Sequence, residues 1–522
     1  MRSALSGVLF VGLSAVGALV EGAPRPNIIL IMLDDMGYSD IGCFGGEIET
    51  PHIDQLAAEG VRFRQFYNGA KCESTRHMVM SGRHWDNVQP LNRTGWPTLA
   101  QVLGSAGYRT MASGKWHIVG VNPMPAGFDR YFGHLSGASD FFRGNTSFRL
   151  DEKPFEVPQE GFYTTDAMTD YAMEFVEEAR RDHASKPFFL YLAYNAPHSP
   201  LQAPPEDIAK YRGRYRRGWD VVRRERFRRQ QESGIADSSW ELPTRPEGIP
   251  AWETLSDEER DFEDHRMAVY AAMIDRVDQN VGRLMAQLDR LGAADNTLIL
   301  LHSDNGASPY DRLRRGVLGE TGSHWNTGIA WANASNTPFR LYKRNGHQGG
   351  SCTPLVARWP AATRRGEIDD TALHVIDLMP TFAELAGAEY PESFAGRPTL
   401  PLPGRSFAKR FANEALPERG EPIFFQFMNH KALVDGPWKL VRAFGGPWEL
   451  YRTDADRTET NNLASARPKR VAAMAARWRA MAGGMLSKRR PGKDDPTGPP
   501  AFITAGEKPN DLTSNGPRPR RQ

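Results

Sequence analysis

Two acidic pairs sit at the ends of apolar runs. Asp34-Asp35 follows residues 28–33, and Asp304-Asn305 follows residues 297–301. Adjacent carboxylates at the end of a buried strand repel each other unless a positive charge lies between them. Three carboxylates and an amide oxygen make an all-oxygen donor set, which suits a hard divalent cation, Ca²⁺ or Mg²⁺, and not Zn²⁺. The competing reading is capping of the helices that follow, a common use of Asp and Asn; two such pairs, each behind an apolar run, favour the metal. A second kind of chemistry is available at Cys72, within Gly69-Ala70-Lys71-Cys72-Glu73-Ser74-Thr75-Arg76. An isolated cysteine is ordinarily a small buried hydrophobe, yet Lys71 and Arg76 argue against a greasy pocket. Two more polar clusters follow apolar runs: Gly114-Lys115-Trp116-His117 behind residues 110–112, and Asn195-Ala196-Pro197-His198 behind residues 188–193.

The elements that must position these residues are legible in outline. Continuous apolar runs such as 28–33 and 188–193 are what strands buried on both faces of a parallel sheet require. Four strands thus deliver polar residues at their C-terminal ends, the edge at which open α/β sheets bind ligands. Between them, Met267, Tyr270, Ile274, Val277, Val281, Leu284, Leu288 and Leu291 recur at steps of three and four, which predicts an amphipathic helix over 265–291 stopped by Gly292. A shorter helix is expected over 98–106, closed by Gly107. The alternation predicts an α/β fold, a large mostly parallel sheet sandwiched by helices. After about residue 391 Pro and Gly become frequent, and short strands at 423–428, 438–443 and 448–451 with a helix at 468–485 predict a smaller C-terminal antiparallel sheet plus helix. The expected division is a signal peptide at 1–23, a catalytic domain at 24–390, a C-terminal subdomain at 391–487 and an extended or disordered tail at 488–522.

Composition narrows the partners. Lys and Arg (65) nearly cancel Asp and Glu (63), leaving +2 over 522 residues, so charge makes no case for nucleic acid or an anionic membrane surface. Arg2 followed by a small, apolar run at 8–20 reads as a signal peptide cut at 18–23, with an uncleaved anchor as the competing reading. That predicts a secreted or periplasmic protein without stable membrane insertion. Three cysteines, Cys43, Cys72 and Cys352, leave at least one thiol unpaired, and no CxxC pair exists. The Arg-rich stretch 211–229 reads either as a magnet for anionic substrate or as a solvated face balanced by acids such as those at 257–264; the second is favoured.

The frame Cys72-Glu73-Ser74-Thr75-Arg76, followed by Ser81-Gly82, resembles that of the formylglycine sulfatases, which carry Cys-x-Pro/Ala-x-Arg and then a helix ending in Thr/Ser-Gly on an alkaline phosphatase superfamily fold. Further blocks resemble the family in order: Asp34-Asp35-x-Gly37-Tyr38-x-Asp40, Thr50-Pro51-His52-Ile53-Asp54-x-Leu56, Gly114-Lys115-Trp116-His117, Ala196-Pro197-His198-x-Pro200, Ser303-Asp304-Asn305-Gly306, Asn336-Thr337-Pro338-Phe339-Arg340-x-x-Lys343 and Asn461-Asn462-Leu463-Ala464. Coverage runs over about 26–485. Two positions depart, Ser74 for Pro or Ala and Gln348 for Glu. The resemblance implies an arylsulfatase-like sulfuric-ester hydrolase acting on a sulfated small molecule or glycan, with Cys72 converted to formylglycine by a maturation enzyme. It implies that Asp34, Asp35, Cys72, Asp304 and Asn305 hold the cation, Ca²⁺ or else Mg²⁺, and that Asp304 is also the base. Arg76, Lys115 and Lys343 cover the sulfate oxygens, His198 with Lys343 protonates the leaving oxygen, and His117 assists release of sulfate. The segment 322–332 suggests a pocket wall, with His324 on substrate. Two rivals share the frame: a phosphodiesterase or phosphonate monoester hydrolase, and an unmodified, non-catalytic binder of sulfated glycans, to which Ser74 points.

Overall fold

The computed structural model describes residues 25–85, 96–311, 314–362, 365–412 and 414–486. The expected signal peptide and the expected tail at 488–522 lie outside the described residues. The large sheet has 11 strands: β1 (Asn27–Leu33), β2 (Val61–Tyr67), β3 (Arg109–Gly114), β4 (Arg130–His134), β5 (Phe148–Leu150), β6 (Lys153–Pro154), β7 (Phe188–Ala193), β8 (Thr297–Ser303), β9 (Cys352–Arg358), β10 (Glu367–Asp369) and β11 (Leu373–His374). Their spatial order is β10-β2-β9-β8-β1-β7-β3-β4-β5-β6, with β11 also on β2. The centre, β8-β1-β7-β3-β4, is parallel throughout. β9 runs antiparallel to both of its neighbours.

β1 shows why an unbroken apolar run is needed at the centre. Successive strand residues face opposite sides. Ile29, Ile31 and Leu33 enter one core layer and Ile28, Leu30 and Met32 the other. The first layer is closed by helices Thr164–Asp182 and Asp257–Arg290, through residues such as Phe175, Ile274 and Leu284. The second is closed by helices Cys72–Ser81, Leu99–Ser105 and Leu378–Ala386, through Val79, Leu103 and Phe382. The long helix starts at Asp257, well before its apolar stripe, because Ser256 and Glu259 form a capping box. Its first turns are charged, so apolar periodicity alone places the start too late.

The smaller sheet has strands Ile423–Phe427, His430–Asp435, Trp438–Arg442 and Glu449–Arg452, all antiparallel. The strand His430–Asp435 was not anticipated, its His-Lys start carrying no apolar alternation. One face packs on helix Pro468–Leu486 through Met474, Ala475 and Trp478. The other face, with Phe425, Ala432, Val441 and Tyr451, packs on Ala70, two residues from Cys72. The Arg-rich stretch is matched by acids, Arg212 and Arg216 meeting Asp261 at 3.0 and 2.8 Å. It is not solvated throughout: Arg223 and Arg226 are buried, because helix Trp219–Glu232 lays one face against the core. All three cysteines are free thiols.

Candidate active site

The strand ends converge. β1 carries Asp34 and Asp35, and β8 carries Asp304 and Asn305; the register pairs Leu33 with Ser303, so the two acidic pairs leave the sheet side by side. Neighbouring strand residues would aim in opposite directions, but Asp35 has φ +69. That left-handed turn, which Asp tolerates better than most residues, brings both carboxylates toward one pocket. Lys115 follows β3. Gly114 before it has φ +120, and a Cβ there would lie 2.0 Å from Ala193 O; only glycine permits that approach. Lys115 N then donates to Ala193 O at 2.7 Å, locking the turn onto β7.

Cys72 is the first residue of helix Cys72–Ser81, and Lys71 is its N-cap. The helix amino end and nearby cations favour an anion there. Thr75 Oγ1 donates to Asp304 O at 2.6 Å, fixing this helix to the end of β8. Arg76, fully buried, donates from Nε and Nη2 to Asp304 Oδ2 at 3.1 and 2.9 Å and from Nη1 to Lys115 O at 2.7 Å. Lys115 Nζ bonds Asp34 Oδ2, and Lys343 Nζ bonds Asp35 Oδ1. Asn305 Nδ2 donates to Asp35 Oδ1 at 2.6 Å. His198 Nε2 lies 3.6 Å from Asp35 Oδ2, and its Nδ1 donates to Ser199 O at 2.6 Å. A carbonyl only accepts, so Nδ1 carries a proton and Nε2 is the nitrogen that faces the pocket.

Three buried oxygens of this cluster, Asp34 Oδ1, Asp35 Oδ2 and Asn305 Oδ1, have no hydrogen-bond partner. Buried polar atoms rarely go unpartnered, so a group that binds oxygen fits there. One oxygen each from Asp34 and Asp304, together with Cys72 Sγ, lie within 4.8 Å of one another. The protonation pattern agrees. Burial would raise Asp34, but Lys115, His198, Arg76 and Lys343 hold its carboxyl well below the usual range. Burial and the charge of Asp34 push Asp304 well above it despite Arg76. A carboxyl pushed toward its neutral form by another carboxylate is the response of a cluster short of positive charge between them. A hard divalent cation fits these donors.

Burial also opposes ionisation of Cys72, but Lys115, Lys343, Lys71 and a hydrogen bond from His117 outweigh it and pull the thiol well below its ordinary value. His117 is itself lowered to about 4, by burial first. The structure therefore gathers Asp34, Asp35, Cys72, Arg76, Lys115, His117, His198, Asp304, Asn305 and Lys343. Among the described residues no hydrogen bond or ion pair links His324 to this cluster; its Nε2 meets Arg315 Nη2 at 3.0 Å. Tyr270, read from the sequence as one apolar position of a helix stripe, also serves the site, its hydroxyl lying 3.1 Å from Asp35 O and 2.7 Å from Asp40 Oδ2.

The chain is similar to known proteins over most of its length. Residues 26–388 match the family described as Sulfatase, and residues 339–479 match N-sulphoglucosamine sulphohydrolase, C-terminal. The chain belongs to the sulfatase family: it is a sulfatase, an enzyme of sulfate-ester hydrolysis. An arylsulfatase of Klebsiella aerogenes is 33% identical over 454 residues, covering 78% of this chain and 96% of that protein. An uncharacterised sulfatase of Schizosaccharomyces pombe is 31% identical over 513 residues, covering 85% of this chain and 91% of that protein. The crystal structure of Ps i-CgsB in complex with k-i-k-neocarrahexaose is similar with a TM-score of 0.66 at 26% identity, over 90% of this chain and 94% of that chain. No helix among the described residues is long and apolar enough to cross a membrane.

Proposed function

We propose that this sulfatase cleaves an aryl or carbohydrate sulfate monoester at Cys72 after a maturation enzyme has converted that residue to formylglycine, with Asp34, Asp35, Asp304, Asn305 and the side chain at position 72 holding Ca²⁺ or Mg²⁺. The observation that carries this reading is the gathering at one sheet edge of unpartnered buried oxygens on Asp34, Asp35 and Asn305, with Cys72 Sγ beside carboxylate oxygens of Asp34 and Asp304. The cation supplies Lewis-acid stabilisation of negative charge. Formylglycine, as a hydrated aldehyde, supplies an oxygen nucleophile and a second hydroxyl through which sulfate can be released.

The chain's own groups divide the remaining work. Asp304, whose Oδ1 and Oδ2 face the cluster, takes up the nucleophile's proton. Lys115, Lys343 and Arg76 offset charge on the sulfuryl oxygens. His198, acting as an imidazolium protonated at both nitrogens, donates the proton of Nε2 to the leaving oxygen while Nδ1 stays bonded to Ser199 O, with Lys343 assisting. His117, in contact with position 72, assists release of sulfate. His324 is assigned to the outer substrate wall. The arylsulfatase relative supports an aryl sulfate and the carrageenan-oligosaccharide complex of Ps i-CgsB a sulfated glycan. A leader at 1–23 would make the enzyme secreted or periplasmic, with residues 24–390 as the catalytic domain and 391–487 as the C-terminal subdomain.

The test is the mass and alkylation of the peptide containing Cys72, from a host that has the maturation enzyme. An aldehyde, together with turnover of sulfate esters in preference to phosphate esters, is the expected result. Faster phosphate-ester turnover would assign the chain to phosphodiester or phosphonate chemistry. A thiol that stays alkylatable across hosts would leave a binder of sulfated glycans. Ser74 is buried within the first helical turn, its Oγ unpartnered.

A further inference from the structure

Every cation of the pocket except one faces a carboxylate. Arg76 has Asp304 at 2.9 Å, Lys115 has Asp34 and Lys343 has Asp35. Among the described residues Lys71 makes no ion pair; its Nζ meets Cys72 Sγ at 3.0 Å. The ammonium is not carried on a loose loop. Ala70 N donates to Asn68 Oδ1 at 2.8 Å, Ala70 O accepts from Arg344 N at 2.5 Å, and Lys71 O accepts from Thr75 N at 2.9 Å. Extended backbone at Lys71, φ −155 and ψ 134, lets its side chain fold over the first turn of the helix.

Arg76, Lys115 and Lys343 are each drawn to a carboxylate, whereas Lys71 is drawn to the nucleophile's own atom. Its present partner is the sulfur of Cys72. When position 72 carries a hydrated aldehyde, Lys71 has only a neutral hydroxyl as its partner, and its ammonium lies in the space beside the nucleophile, within reach of a group transferred to it. A sulfate monoester brings one negative charge to that space, and a fixed ammonium there needs no reorganisation to meet it.

Resting on the mechanism proposed above, we propose that Lys71 is a further catalytic residue whose ammonium contacts an oxygen of the transferred sulfuryl group, beside Lys115 and Lys343. The test uses Lys71→Met and Lys71→Arg in the full-length chain, with rates normalised to the aldehyde content at Cys72, and inorganic sulfate titrated by calorimetry into Cys72→Ala with and without Lys71→Met. Lys71→Met is expected to lower kcat by about 10²-fold, on the scale of losing one donor to a developing charge. Lys71→Arg is expected to recover part of it, and sulfate to bind about tenfold more weakly to the double variant. Unchanged sulfate affinity, or a normalised kcat within twofold of wild type for Lys71→Met, would overturn the assignment. A wild type without aldehyde would sink the mechanism above instead, and the sulfate titration, which needs no aldehyde, would still decide on Lys71.

Discussion

Two regions concentrate positive charge, the strand-end pocket and the Arg-rich helix Trp219–Glu232, and they differ in how the charge is matched. Arg226 donates from Nε and Nη2 to Glu47 at 2.8 and 2.7 Å and from Nη1 to Asp40 Oδ1 at 2.6 Å. Its two acidic partners are themselves held, Asp40 by Gly37 N and Tyr270 OH at 2.7 Å each. The pocket has similar pairs, yet it keeps unpartnered oxygens on Asp34, Asp35 and Asn305 and an ammonium, Lys71, without a carboxylate. Saturated charge networks hold a shape. Unsaturated ones retain a site for a ligand, because the missing partner must come from outside. Neither local charge density nor a bare count of leftover atoms separates the two, since Arg223 Nε and Gln230 Oε1 on the helix are also unpartnered; the difference is that the pocket leaves oxygens of two carboxylates open.

The largest effect that would break this contrast is at Asp35. Asp35→Asn suits the left-handed backbone at φ +69 and keeps the side chain's size, but removes a charged donor and the counter-ion of Lys343. kcat should fall by 10³-fold or more, about 4 kcal/mol of transition-state stabilisation. In addition, Ca²⁺ should raise the Tm of wild type by mass action and leave the variant's Tm where it was; an equal rise in both would remove Asp35 from the cation site. Arg226→Met tests the saturated region. It strands the Asp40 carboxylate in the interior and leaves Glu47 with its Arg229 ion pair, at 3.3 Å, and breaking a buried pair in this way costs about 3–5 kcal/mol, read as a lower midpoint in urea. A cost below about 1 kcal/mol would mean that the network is not needed to hold the loop of residues 36–40.

The legible parts of the molecule were those where one physical requirement dominates a stretch of chain. β1 must be apolar on both faces, so its run and its sudden end at Asp34 mark strand and site together. The short helix was equally clear, Thr98 capping Gln101 N and Gly107 following at φ +85. Illegible were features set by partners distant in sequence. The turn at Asp35 that brings adjacent carboxylates together leaves no local signature. Tyr270 satisfies the helix stripe and gives no sign that its hydroxyl reaches Asp40. Arg226 looks like its exposed neighbours, because burial depends on Glu47 and Asp40 far upstream. Lys71 adjoins Cys72 in the sequence, but only the pairing of the other cations shows it to be unmatched.

Asp278 offers the smallest and most discriminating test, since it is an unmatched charge of the opposite sign. On helix Asp257–Arg290 it accepts from Ile53 N at 2.7 Å and His52 N at 3.2 Å, with no ion pair among the described residues. Burial pushes its carboxyl up to about 7, and the charges of Asp54 and Asp275 add to this against those two amide bonds. The sign follows. An unfolded Asp gives up its proton near pH 4, whereas the folded one keeps it to about pH 7. Between these values unfolding releases a proton, so the group's contribution to stability declines as pH rises and the loss is complete above the folded value. Asp278→Asn retains the acceptor oxygen without the charge. It should therefore be more stable than wild type at pH 8 and lose that advantage at pH 4. Thermal unfolding of both proteins across this range measures it. A gap that stays constant with pH would show that Asp278 is ionised throughout, matched by its two amide donors as completely as Arg226 is by its acids.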